Sequence, residues 1–255
     1  MKLLFYTVLG ILMTSACQQK TEGDANGSKT KSAFEAGTKT KVNFNSLDGL
    51  NISADYYAAE NSDKVVILCH QAGFSRGAYR DIAPRLVDAG FDCMAVDLRS
   101  GNIANEVINE THIEAVKNEV GTDYQDAAQD IKAAINYVKE KTGKKVVLWG
   151  SSYSATLVLV EGRDNPNVVK VVAISPGIYF SSESTLRNAV VGYSKPVFVT
   201  CSRSEEAIAK QLVLAIQEPY LNFELPELEG DHGSKMFWVQ NEQINALFQK
   251  IIDFI

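Results

Sequence analysis

The chain has 255 residues, 45% of them hydrophobic and 22% charged, which is the composition of a soluble globular protein with room for one large α/β domain or two small ones. A formal net charge of −6 at pH 7 argues against a nucleic-acid-binding protein. The 4 cysteines lack the close pairs typical of a metal site and are too few for a disulfide framework.

The first residues are unlike the rest of the chain. A basic start at residues 1–2 precedes an apolar run at 3–13, which is too short to span a bilayer comfortably, and a small-residue site that ends in Cys17. This pattern resembles a bacterial lipoprotein signal peptide over residues 1–16, cleaved before Cys17, whose thiol would then carry lipid. Thr14 departs from the pattern, which has leucine there, and a plain secretory signal cut nearby is the alternative.

Either signal predicts export of the protein. Residues 17–37 are polar, with hardly any apolar side chain, and read as a flexible tether between the anchor and a domain at residues 38–255. We therefore expect a membrane-anchored lipoprotein on the periplasmic or cell-surface side, or else a soluble periplasmic or secreted protein.

Strands and helices are predicted to alternate along that domain, and an α/β domain with a parallel sheet follows from this alternation. Strands are expected at 39–44, 50–57, 65–69, 92–97, 146–149, 168–174, 197–201 and 220–225, the first two forming a hairpin around Asp48-Gly49. Helices are expected at 78–88, 123–141, 205–217 and 237–254. Residues 99–123 fit either a short helical excursion or the edge of a lid, and 178–193 a modest connection.

The most informative stretch is 144–162, where an apolar strand meets an Ala/Leu/Val-rich helix across a very tight turn. Ser152 stands at the bend, with Gly150 and Ser154 two residues away on either side. A serine held at such a bend projects its hydroxyl from the sheet as a nucleophile, and small neighbours let the strand and helix approach. Ser154 stands where the pattern prefers glycine. A simple helix N-cap is the competing interpretation.

A serine nucleophile needs a base, and only one of the 3 histidines, His232, follows Ser152 as the order serine, acid, histidine requires. It lies in a polar loop between the last strand and the last helix. An exposed loop histidine is the alternative. We interpret His70 as a structural residue and His112 as a solvated one.

The acid that orients the imidazole is expected in the loop after the 197–201 strand. Glu205 is our first candidate and Glu206 the second, although both could instead be first-turn residues favoured by a helix dipole. Asp231, adjacent to the histidine, is a third candidate.

An acyl intermediate also needs donors for its oxyanion. The backbone N–H of Tyr153 follows the nucleophile, and the second N–H should come from the loop after the 65–69 strand, from Ala72 or, as second choice, Gln71. Cys69, Cys93 and Cys201 are interpreted as core residues, with a Cys69–Cys93 disulfide left open.

Together these motifs, with the Asp97-Leu98-Arg99-Ser100-Gly101 segment, resemble the α/β-hydrolase superfamily, in the style of small dienelactone hydrolases and carboxylesterases. The resemblance covers residues 39–255. It implies an eight-stranded, mostly parallel sheet flanked by helices, an initial antiparallel strand pair, a small lid or none, and hydrolysis through an acyl-enzyme. Ser154 and Gln71 replace glycines of the family pattern.

The predicted function is therefore that of a serine hydrolase acting on small ester substrates, without metal or organic cofactor. A serine peptidase or amidase on the same fold is one alternative. An inactive, surface-tethered binding lipoprotein is another. The expected partners are the substrate and, through lipid at Cys17, a membrane.

Overall fold

A computed structural model of the protein describes residues 1, 33–238 and 241–255. The predicted signal peptide, Cys17 and most of the predicted tether lie outside this range. Within the described part of the chain, no helix combines the length and apolar character needed to cross a bilayer.

Eight strands form one sheet in the order β1-β2-β4-β3-β5-β6-β7-β8. Strands β1 and β2 pair with each other, and β2 with β4, in antiparallel fashion, and the pairs from β4 through β3 to β8 are parallel. The predicted mostly parallel sheet with an antiparallel start is confirmed. The strands are β1 Lys39–Asn45, β2 Asn51–Tyr57, β3 Lys64–Cys69, β4 Asp92–Val96, β5 Lys145–Ser151, β6 Val168–Ile174, β7 Val197–Thr200 and β8 Leu221–Phe223.

The central strands are apolar on both faces because helices cover both sides of the sheet. In β5, Val146 and Leu148 face one core cluster, whereas Val147 and Trp149 face the other. This two-sided burial explains why the sequence shows a continuous apolar run here instead of an alternating one.

Seven α-helices surround the sheet in the described residues: α1 Ile82–Asp88, α2 Glu110–Lys117, α3 Ala128–Thr142, α4 Tyr153–Arg163, α5 Glu183–Ala189, α6 Glu206–Val213 and α7 Asn245–Phe254. The predicted stop of α3 is confirmed, since Gly143 takes a left-handed conformation at φ 68°.

The predicted closing helix at 237–254 is wrong in its first half. Phe237 ends a 3-10 turn, Gly233–Phe237, and the helix begins only at Asn245. Two aromatic contacts account for the break: the Phe237 ring packs edge-on against Trp149, and the Trp238 indole N–H donates to the carbonyl of Ala78 at 2.9 Å. The backbone at Trp238 is extended, which ends the turn there.

Two other segments differ from the prediction. The helix expected at 78–88 starts at Ile82, after a separate 3-10 turn, Arg76–Tyr79. Residues 99–123 contain the two-stranded ladder of Ile103–Ala104 with Val107–Ile108, followed by α2. Their periodicity was ambiguous because Ile103 and Ile108 stay about half exposed.

Cys69, Cys93 and Cys201 are buried free thiols. Across the β3–β4 pair, Cys69 is in register with Val96 and Cys93 with Val66. The two cysteines are therefore offset by three positions along the strands, and they serve as small core residues.

Candidate active site

Ser152 occupies the sharp turn between β5 and α4, with φ 61° and ψ −126°, and is 5% exposed. Few residues other than glycine adopt such a conformation, and it is held here by the packing of helix against strand. A Cβ on Gly150 would lie 2.4 Å from the carbonyl oxygen of Ser154 and 2.6 Å from the Cα of Ala155. The glycine is therefore required for the close approach that forms the turn.

Ser154 stands where the family pattern has glycine, and its side chain forms hydrogen bonds of its own. Its hydroxyl accepts a hydrogen bond from the backbone N–H of Ser151 at 2.8 Å and donates to the carbonyl of Cys69 at 2.8 Å. The side chain is fully buried. These two hydrogen bonds connect the turn to the end of the neighbouring strand β3.

Glu205 and His232 are in direct contact. The Oε1 atom of Glu205 accepts a hydrogen bond from Nδ1 of His232. The other oxygen, Oε2, accepts from the Ser175 hydroxyl at 2.7 Å and from the Ser202 backbone N–H at 3.2 Å. Partial burial raises the pKa of Glu205, but the bonds from His232, Ser175 and Ser202 outweigh it and hold that pKa at about 2. The carboxylate is ionised at any physiological pH.

The two other candidate acids have different partners. Glu206 accepts from the Lys210 ammonium at 2.5 Å, one turn along α6. Asp231 accepts from the Asn241 side-chain amide at 2.8 Å. Of the three carboxylates considered, Glu205 is the one bonded to the histidine ring.

The loop that carries His232 is bonded to the serine turn. The N–H of Ser234 donates to the Ser151 hydroxyl at 2.7 Å, and the N–H of Gly233 donates to the Ser175 hydroxyl at 2.9 Å. Gly233 has φ 67°, and a Cβ there would lie 2.4 Å from Oγ of Ser151. The residue after the histidine thus touches the residue before Ser152.

Ser175 was missed by sequence reasoning. It follows β6 with φ 56°, and its hydroxyl bonds to Glu205 on one side and to Gly233 on the other. Its only sequence signal was the Ser-Pro-Gly string at 175–177, which indicates a strand exit and says nothing about which way a side chain points.

The loop after β3 lies beside the turn, as the oxyanion prediction needs. The Gln71 side-chain oxygen accepts from the Ser151 hydroxyl at 3.4 Å, and Ala72 is half-buried next to it. His70 braces this loop: Nδ1 donates to the Gln71 carbonyl at 2.8 Å, and Nε2 accepts from the Leu98 N–H at 2.9 Å. Complete burial lowers the pKa of His70 to about 4, so the ring is neutral, as an accepting Nε2 requires.

The N–H of Tyr153 opens helix α4, where the first backbone donors have no intrahelical acceptor. It is therefore not used by the hydrogen bonds of the helix itself. His112, expected to be solvated, is instead half-buried, and its Nδ1 donates to the Arg99 carbonyl at 2.7 Å.

A cavity of about 440 Å³ opens next to the turn. It is lined by Thr122, Asp123, Tyr124, Gln125, Tyr179 and Phe180. The Tyr124 ring stacks on the Tyr153 ring with centroids 4.6 Å apart. The Tyr179 hydroxyl donates to the Ser175 carbonyl at 3.0 Å. Burial raises the pKa of Tyr179, and the Ser152 side chain nearby partly offsets that rise. The volume lies in the range of small-molecule sites.

No cluster of three or more potential metal ligands occurs in the described parts of the chain. The arrangement offers a serine hydroxyl at a strained turn and a histidine whose Nδ1 is bonded to a carboxylate that is ionised at neutral pH. These are the components of nucleophilic acyl transfer.

Comparison with known proteins identifies the family. Residues 60–209 match the family model Hydrolase_4, described as serine aminopeptidase S33. This match includes Ser152 and Glu205 and ends before His232. A thiohydrolase, apmlB, from Arthrinium phaeospermum is 27% identical over 144 residues, which make up 55% of this chain but only 44% of that protein.

Solved structures show the same architecture. An esterase from Pyrococcus furiosus superposes with a TM-score of 0.62 at 18% identity, over 85% of this chain and 91% of that one. A dienelactone hydrolase from Anabaena variabilis gives a TM-score of 0.66 at 15% identity, over 85% and 96% of the two chains. At these identities the likeness shows the fold alone. Because the family match covers more than half of the sequence, the protein is a hydrolase with the α/β-hydrolase fold and belongs to the Hydrolase_4 family.

Proposed function

We propose that the protein is a serine esterase that cleaves carboxylic esters through an acyl-enzyme formed on Ser152. The observation that supports it most is the bond between Glu205 and Nδ1 of His232, on a loop tied by Ser234 to the serine turn. That bond fixes the tautomer in which Nε2 can accept a proton.

In the proposed first step, Nε2 of His232 takes the proton of the Ser152 hydroxyl while its oxygen attacks the ester carbonyl. The Glu205 carboxylate stabilises the resulting imidazolium. The developing oxyanion is received by the N–H groups of Tyr153 and Ala72, with Gln71 as the alternative donor. The imidazolium then protonates the leaving alkoxide, the C–O bond breaks, and the acyl group remains on the serine.

Water completes the cycle by the same route. His232 removes a proton from water as it attacks the acyl-serine, and returns that proton to the Ser152 oxygen as the acid leaves. Atoms and charges balance without any further reactant.

Labelling with a fluorophosphonate probe tests the nucleophile. We expect the wild-type protein to be labelled at Ser152, and the label to be absent from the Ser152→Ala variant. Ser184→Ala, an exposed serine of α5, is the matched control and should label normally. A folded wild-type protein that takes no label would support the binding-protein alternative instead.

The description of the family as serine aminopeptidases keeps amide hydrolysis as the second candidate. The two activities differ in how well the leaving group departs, so p-nitrophenyl acetate and amino-acid p-nitroanilides separate them. We expect turnover of the acetate and little of the anilides. The relative named as a thiohydrolase makes acyl thioesters a useful third substrate.

We also propose that the mature protein is lipid-anchored at Cys17, outside the described residues. The support is the sequence pattern of residues 1–17. Expressed with its full N-terminus in a bacterial host, the protein should partition into the detergent phase and incorporate a palmitate analogue. Cys17→Ser should abolish both. Partitioning that persists in this variant would contradict a lipid anchor.

A further inference from the structure

The cavity beside Ser152 has a distinctive chemistry. Of the six lining residues that the structure describes, three are aromatic and Asp123 alone is charged. The rings of Tyr124, Tyr179 and Phe180 come from two segments that follow different strands, so the cavity is formed by the folded domain and not by one loop.

Two of these rings are fixed in place. Tyr179 is held at its hydroxyl by the Ser175 carbonyl, 3.0 Å away, and Tyr124 is stacked on the buried ring of Tyr153. A pre-positioned aromatic wall costs little conformational entropy when a ligand binds, and it favours flat rings packed by offset or edge contacts.

The position of the cavity decides which half of an ester occupies it. In the proposed mechanism the leaving group must face His232, because that residue protonates it. The described residues that line the cavity come from 122–125 and 179–180, and the described part of the histidine loop contributes none of them. The acyl side of the substrate is therefore the part directed into the cavity.

The charge of the residues that line the cavity further restricts which acyl groups can bind there. Asp123 is fixed by a reciprocal capping box with Asp126, in which each side chain accepts from the other's backbone N–H, so its carboxylate keeps its place in the cavity lining. None of the described residues that line the cavity is basic. An acyl group that carries its own carboxylate would meet uncompensated negative charge.

We propose that the cavity is the acyl subsite and that it selects uncharged aromatic acyl groups while it rejects anionic ones. This inference rests on the proposed esterase function and names its substrate class.

The test compares three p-nitrophenyl esters that share one leaving group: 3-phenylpropanoate, 3-cyclohexylpropanoate and 3-(4-carboxyphenyl)propanoate. We expect kcat/KM to be about twofold to tenfold higher for the phenyl than for the cyclohexyl ester, the range typical of an added aromatic contact. The carboxylated ester should be the poorest of the three. Equal values for the phenyl and cyclohexyl esters would overturn the aromatic preference.

Two variants test whether the preference for the phenyl ester arises in the cavity. Phe180→Leu keeps apolar bulk and removes the ring face, so the phenyl-to-cyclohexyl ratio should fall towards one. Phe91→Leu makes the same change at a half-buried ring just before β4, outside the cavity, and should leave the ratio and acetate hydrolysis unchanged. A preference that persists in Phe180→Leu would overturn the assignment.

Asp123→Asn tests the charge, and asparagine preserves the helix cap. In this variant the penalty on the carboxylated ester should shrink, and an unchanged penalty would contradict the role of Asp123.

Fluorophosphonate labelling of each protein separates the subsite hypothesis from the esterase hypothesis. A labelled enzyme that hydrolyses acetate without acyl selectivity refutes only the subsite, whereas an unlabelled one refutes the esterase.

Discussion

The Ser175 hydroxyl bonds both to the acid, Glu205, and to the loop that carries His232. It donates to Glu205 at 2.7 Å and accepts from the Gly233 N–H at 2.9 Å. In Ser175→Ala both bonds are lost, so kcat should fall by about tenfold, the usual size of one lost bond to a charged group, with KM little changed. Steady-state kinetics on p-nitrophenyl acetate measure this.

The control for Ser175→Ala is Thr200→Val, one strand away. The Thr200 hydroxyl is buried with no hydrogen-bond partner among the described residues, and valine has the same shape. Removing an unpaired buried hydroxyl should leave kcat unchanged and raise the free energy of unfolding by about 1 kcal/mol. If both variants lose the same activity, Ser175 has no special positioning role.

The ionisation of Glu205 links the site to stability at low pH. Its pKa in the folded protein is about 2, against 4.5 without these contacts. A lowered pKa contributes stability that is complete above 4.5 and lost as the pH falls from there towards 2. Glu205→Gln should therefore flatten the decline of the free energy of unfolding over this pH window and, at pH 7, reduce kcat on the order of 10⁴-fold. Urea unfolding between pH 2 and pH 7 checks the first expectation, and an equally steep decline in the variant would contradict it.

At the scale of elements, the turn between β5 and α4 depends on Gly150. In Gly150→Ala the new methyl would lie 2.4 Å from a backbone oxygen of α4, so the helix must move away from the strand. We expect a loss of about 2–4 kcal/mol in the free energy of unfolding, typical of overpacking against backbone, together with loss of fluorophosphonate labelling. Gly121→Ala is the control, because its nearest neighbour is a side-chain oxygen of Asp126, which can turn away by giving up its bond to the Asp123 N–H, and not a backbone atom. Similar losses in the two variants would mean that the close approach is not what matters.

The elements that sequence patterns predicted best are those whose burial is regular. Strands β3, β5 and β7 contain continuous apolar runs, and α3 carries one apolar stripe and ends at Gly143. Periodicity and stop signals therefore predict the same elements. The start of α7 was misplaced because Phe237 and Trp238 are apolar for a different reason: they pack against Trp149 and Ala78 in an extended turn. Periodicity cannot distinguish an apolar helix face from a single aromatic anchor.

At the scale of the molecule, the parallel topology explains how much of the site the sequence could reveal. Ser152, Glu205 and His232 each follow a strand of one sheet, so the order of strands was enough to predict the Glu205–His232 contact. The role of Ser175 and the aromatic cavity could not be predicted, because both depend on the directions of side chains in irregular loops. Those directions are set by long-range contacts that leave no periodic signal.

A buried ionic network joins distant parts of the fold. Arg99, just after β4, is 1% exposed and bonds to the fully buried Asp130 of α3 at 2.7 Å and to Asp48 of the β1–β2 turn at 2.7 Å. Because removing one partner of a buried pair leaves a bare charge, Arg99→Met should lower the free energy of unfolding by about 3–5 kcal/mol.

The double variant Arg99→Met/Asp130→Leu removes both charges of the buried pair and should recover part of that loss. The surface control is Lys210→Met, which breaks an exposed pair with Glu206 on α6 and should cost under about 0.5 kcal/mol. Urea denaturation of the four proteins measures these differences. If Arg99→Met were no less stable than Lys210→Met, the network would contribute little. A loss of the expected size, partly recovered in the double variant, would mean that the Arg99 guanidinium stabilises the packing of the β1–β2 hairpin and of α3 against the end of β4.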